Sequence, residues 1–167
     1  GAEQSPSYLA FTIEMLLLSA IVGRRSGYPF PLTYLQRLSL GGTYLSWLVD
    51  SRGNIPQIGD DDRSSVFWCL DRANYIGSVV AAVAAYEQKD GHSPNEYKPE
   101  LNSVVFGHAS PKTTQYAGFR VLAVGGYSIE RDCGPSGDIM FVFDHGPLGL
   151  APLCAHGHAD TLAVALE

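Results

Sequence analysis

Apolar positions in the first half of the chain recur at helical spacing. Tyr8, Phe11, Met15, Leu18 and Val22, flanked by Leu9, Ile13, Leu16 and Leu17, predict a helix running to about Arg25. Ser5 and Ser7 both suit its N-cap, and Pro6 is tolerated in a first turn, where no backbone donor is needed. Such a helix is apolar over most of its circumference and belongs between neighbours rather than on a surface. Thr12, Glu14 and Ser19 interrupt the run, which leaves it too short for a bilayer span of roughly 20 apolar residues. Gly27, Pro29 and Pro31 mark a connection to a second helix, from about Leu32 to Val49. Its apolar set is Tyr34, Leu35, Leu38, Leu45, Trp47 and Leu48, with Gly41-Gly42 as a candidate kink. After a turn-rich stretch from Ser51 to Asp62, a third helix is expected from about Arg63 to Tyr86. The acid run Asp60-Asp61-Asp62 has two readings, a solvated start to that helix or a cation site.

The period then changes. Glu87 to Thr114 is polar and punctuated by Gly91, Pro94, Pro99 and Pro111, which reads as a linker. Phe119–Val124, Tyr127–Arg131 and Ile139–Phe143 are short β-branched and aromatic runs separated by Gly125-Gly126 and by Cys133-Gly134-Pro135-Ser136-Gly137, a hairpin pattern. A Gly- and Pro-rich loop leads to a last strand carrying Ala155-His156-Gly157-His158-Ala159-Asp160. On a strand, His156, His158 and Asp160 share one face, with the histidines roughly 7 Å apart. Three ionisable groups on one face are costly to bury unless a metal, partner or substrate answers them. The competing reading is a pair of surface histidines on an edge strand. Helices first and sheet after give an α+β chain, divided as 1–88 helical, 89–116 linker and 117–167 sheet.

Composition narrows the partners. With 167 residues the chain is long enough to bury a sizeable core. Only 17% of residues are charged, fewer than usual, as in a protein whose surface expects to be covered. A net charge of -6 with no basic run argues against nucleic acid. Cys69, Cys133 and Cys154 match neither a zinc ribbon nor a disulfide framework and are expected to be free, mostly buried thiols. Three nearly all-round apolar helices and a short sheet with unpaired edges suggest a piece of a longer protein. Its edges would be covered by the rest of that protein or by self-association.

Five blocks of sequence carry a resemblance. They are Glu3-Gln4-Ser5-Pro6-Ser7-Tyr8, Ile55-Pro56-Gln57-Ile58-Gly59-Asp60-Asp61-Asp62, Gly126-Tyr127-Ser128-Ile129-Glu130-Arg131, Phe143-Asp144-His145-Gly146-Pro147-Leu148-Gly149 and His156-Gly157-His158-Ala159-Asp160. In this order they resemble the bacterial heparinase II/III-like proteins, polysaccharide lyases and their relatives. The resemblance implies the last helices of an (α/α) toroid followed by the first strands of an antiparallel β-sandwich, within a protein several times longer. It also implies β-elimination on an acidic, uronate-containing polysaccharide and favours a periplasmic or extracellular setting; the charge and the interrupted apolar run argue separately against nucleic acid and membrane as partners.

The same resemblance assigns roles. Tyr8 matches a tyrosine that acts as acid or base, His156 a histidine that assists it, and His158 a ligand of a structural zinc. The family's Asn-His pair and its remaining zinc ligands, an aspartate and a histidine, have no match here, so this chain alone is expected to be inactive, with an incomplete metal site. The residues themselves leave alternatives. Tyr8 is in phase with Phe11 and Met15, as a packed core tyrosine would be, and a free tyrosine titrates near 10. Arg131 is placed either to meet an anionic sugar or to pair with Asp132 or Asp138. His108 and His145 read as loop histidines. The functional alternatives are a relative that binds glycan or serves as a scaffold without cleaving, and a small zinc-binding module.

Overall fold

A computed structural model describes residues 4–61, 64–66, 75–89, 116–134, 137–149, 152–156 and 162–167. Among these residues three helices, α1 (Pro6–Arg25), α2 (Leu32–Leu48) and α3 (Tyr75–Lys89), precede four strands, β1 (Gly118–Leu122), β2 (Tyr127–Gly134), β3 (Gly137–Asp144) and β4 (Val164–Leu166). The class is α+β, as the change of period indicates. Most of the expected linker, His108 and Cys69 lie outside the described residues.

α1 begins where its sequence says it should. The Ser5 side chain accepts from the Tyr8 amide and Pro6 occupies the first turn, while Arg24 and Arg25 face the negative end of the helix dipole. The buried stripe, however, is Ala10, Ile13, Leu17, Ala20 and Ile21, whereas Met15 and Val22 are exposed. A helix apolar nearly all round carries no moment to choose its inner face, so the neighbours choose it. α1 has the length and hydropathy of a membrane-crossing helix, yet its inner stripe forms the core with α2 and α3. That stripe also includes Glu14, which is buried and accepts from the Val66 amide at 2.8 Å and the Tyr75 hydroxyl at 2.7 Å. Residues 64–66, where Glu14 takes the Val66 amide, are not helical, unlike the expected third helix through them.

Gly41 and Gly42 do not interrupt α2. They let its neighbours approach: a Cβ would lie 2.8 Å from the Ile13 side chain of α1 at Gly41, and 2.7 Å from the Val83 side chain of α3 at Gly42. Gly42→Ala is therefore expected to destabilise the fold by about 1–3 kcal/mol despite the better helix propensity of alanine. Chemical denaturation should show the loss, and Val83→Ala in the same chain should recover part of it, since the clash is with that side chain.

The strands form one antiparallel sheet in the order β1-β2-β3-β4, with Ile129 opposite Arg120 and Val142, and Phe143 opposite Val164. Alternation divides the two faces. Tyr127, Ile129, Met140 and Val142 point inward onto Trp47 and Leu48 at the end of α2 and onto Ile58, which joins sheet and helices through a second core. The outer face exposes Phe119, Val121, Ile139, Phe141, Val164 and Leu166. Cys133 and Cys154 are free and exposed, contrary to the expected burial: Cys133 lies near the β2–β3 turn, past the core, and Cys154 in a loop at φ 52°.

Candidate active site

The start of α1 gathers described residues from each of the five sequence blocks. The Tyr127 hydroxyl donates to the Gln4 carbonyl at 3.4 Å. Gly59, at φ +70°, sits so close that a Cβ would lie 2.8 Å from the Gln4 carbonyl and 2.7 Å from that of His156. Gly146, whose amide donates to Asp144 Oδ1, lies against Gln4 Oε1 and the Gly125 carbonyl. Ser5 Oγ donates to the Asp60 carbonyl at 2.7 Å while accepting from the Tyr8 amide. One hydroxyl thus both caps the helix and fastens the 55–61 loop beside it.

Two predicted site residues meet here. The Tyr8 and His156 rings lie 5.1 Å apart between centroids and 65° from parallel, an edge-to-face contact across 148 positions of sequence. His156 is not on a strand. Its φ of 68° takes the backbone out of the extended region, so the alternation that would set His156, His158 and Asp160 on one face does not begin there. Among the described residues after His156, Val164–Leu166 forms a strand, and His158 and Asp160 lie outside the described residues. His156 is held by Asp60 instead: Nδ1 is 2.8 Å from Asp60 Oδ2, and the Asp60 amide donates to the His156 carbonyl at 2.8 Å. Sequence reasoning passed over Asp60 because an acid run near an expected helix start already has a local explanation.

Arg131 is elsewhere. It is 3% exposed, and Nη1 donates to the Ser46 carbonyl at 3.2 Å. Ser46 is in the last turn of α2, whose final carbonyls have no partner within the helix, so the guanidinium answers both an orphan acceptor and the negative end of the dipole. That position closes Arg131 to a glycan, and its bond is to neither Asp132 nor Asp138. The loop histidine His145 lies on the surface, its Nε2 3.1 Å from Ser128 Oγ.

Two other tyrosines are poor candidates for a base. Burial and then the nearby Asp144 charge hold the Tyr44 phenol well above its ordinary range. Burial, the hydrogen bond to Glu14 and the charge of Glu14 do the same for Tyr75. Tyr8 touches an imidazole instead. Among the described residues no three His, Cys, Asp or Glu side chains are grouped to hold a metal.

Residues 114–167 match the family model described as heparinase II/III-like, C-terminal. The match covers the sheet and the segment bearing His156, and is consistent with a piece of a heparinase II/III-like protein. Neither the curated proteins nor the solved structures gave a match.

Proposed function

We propose that this chain is part of a polysaccharide lyase that cleaves uronate-containing glycan by β-elimination, with Tyr8 and His156 as the catalytic pair. The observation that carries the proposal is the ring contact between them, made by two residues from opposite ends of the chain, one of them within the segment that matches the family model. In this reading α1–α3 are the last helices of an (α/α) toroid. The sheet opens an antiparallel sandwich and packs its apolar outer face on a second sheet.

The chemistry follows from ordinary acidities. The proton beside a uronate carboxylate is weakly acidic, so a base and an acid must be held in one geometry at two neighbouring carbons. A neutral imidazole takes that proton at His156. The electron pair left on carbon forms the new double bond, the adjacent C–O bond breaks, and the Tyr8 hydroxyl gives its proton to the leaving oxygen. Transfer from imidazolium to phenolate resets the pair. No step is assigned to a metal. His158, the zinc ligand implied by the resemblance, belongs to a separate proposal, that the whole protein loses bound zinc on His158→Ala.

The test is ultraviolet absorbance of the unsaturated uronate product, followed on a panel of acidic polysaccharides with the full-length protein that carries this chain. Product from at least one polymer is expected. Glycan binding with no product from any of them would sink the lyase reading and favour a non-catalytic, glycan-binding relative.

A further inference from the structure

We infer that Asp60 is the positioning residue of His156, fixing both the ring tautomer and the backbone turn that presents it; the inference rests on the lyase reading for its kinetic consequence but not for its geometry. Three observations bear on it. The carboxylate is 2.8 Å from Nδ1, and an ionised carboxylate only accepts, so Nδ1 carries the hydrogen and, in the neutral ring, Nε2 is left with a lone pair. His156 stands at φ 68°, a conformation that costs a branched-free but bulky residue free energy and persists only when its surroundings impose it. The Asp60 amide imposes it by donating to the His156 carbonyl at 2.8 Å, so one residue grips both the ring and the main chain of another 96 positions away.

The surroundings hold Asp60 in turn. Its carbonyl accepts from Ser5 Oγ at 2.7 Å, and Gly59 before it occupies a space with no room for a side chain. The Asp60 and His156 side chains are 33% and 35% exposed, so a ligand can reach the pair. A carboxylate serving only to anchor a loop would not need to end on the ring nitrogen. Ending there, it stops ring rotation and leaves Nε2 as the proton acceptor, which is what the base in β-elimination requires.

The first test needs no substrate. Nitrogen-15 spectra of the full-length protein with labelled histidine, with the His156 signals assigned by their loss in His156→Gln, report which ring nitrogen carries the hydrogen. The expected result is the Nδ1–H form in the unaltered protein and a mixture or the Nε2–H form in Asp60→Asn, whose amide can donate to Nδ1. Wild-type His156 in the Nε2–H form would overturn the inference, even if the variant failed to fold. The second test is kinetic: Asp60→Asn should lower kcat by about 10–100-fold with KM little changed, whereas Asp61→Asn next to it should leave both unchanged. An unchanged kcat in Asp60→Asn would overturn the positioning role. If no polymer yields product with the wild type, the lyase reading fails, and the ring spectra still decide what Asp60 does.

Discussion

Tyr8→Phe is expected to lower turnover on a cleaved polymer by about 10²–10⁴-fold, the usual contribution of a positioned proton donor, while KM stays within a few-fold. The substitution suits the question because it keeps what the ring does structurally. Phenylalanine retains the edge-to-face contact with His156, and the helix cap is unaffected because the Tyr8 group that binds Ser5 is its backbone amide. Loss of one hydroxyl changes stability by about 0.5–1.5 kcal/mol, so equilibrium unfolding should shift only modestly from the parent curve. Initial rates of product formation give kcat and KM separately. A variant that retains wild-type kcat would make Tyr8 a packing residue, as its phase with Phe11 and Met15 also allows.

A large stability effect is expected at Gly59. Alanine there meets two obstacles: a φ of +70° and backbone carbonyls of Gln4 and His156 within 3 Å of the new carbon. Carbonyls belonging to a helix start and a strained turn cannot swing aside as a side chain can. A cost of about 2–5 kcal/mol is expected from conformational strain and overpacking together. Gly27→Ala is the control, because Gly27 has φ +80° and nothing within 4 Å of an added Cβ. It should show the backbone cost alone, about 1 kcal/mol. Denaturant titration of both variants separates the terms, and equal losses would show that the close contacts around Gly59 are slack.

Much of the framework was legible locally. The Ser5 cap, the first two helices and the two hairpins follow from signals a few residues long, and each stands within a few positions of where those signals place it. The inner face of α1 was not legible, because a helix apolar on every side fits many environments and only α2 and α3 select among them. Val66 could not be placed outside a helix without knowing that Glu14, 52 positions earlier, accepts its amide. Arg131 has acidic neighbours in sequence that explain it well enough, while its actual partner is a carbonyl 85 positions away. The proximity of Tyr8 and His156 entered only through the resemblance, since no local pattern links the two ends of a chain. Asp60 is the instructive omission: its residue type was noticed, but no short-range signal reports that a loop before one helix will close on a turn after the last hairpin.

The N-terminal end of α1, where Ser5, Asp60, Tyr8 and His156 meet, makes the proposed chemistry a property of a seam. A hybrid joined between the last helix and the first strand would take its tyrosine and aspartate from one parent and its histidine from the other. Both inherited parts could fold faultlessly and the product still be inert, because nothing in either half alone specifies the fit. Such exchanges measure how far the two halves have drifted apart, and the seam sets how much drift is tolerated.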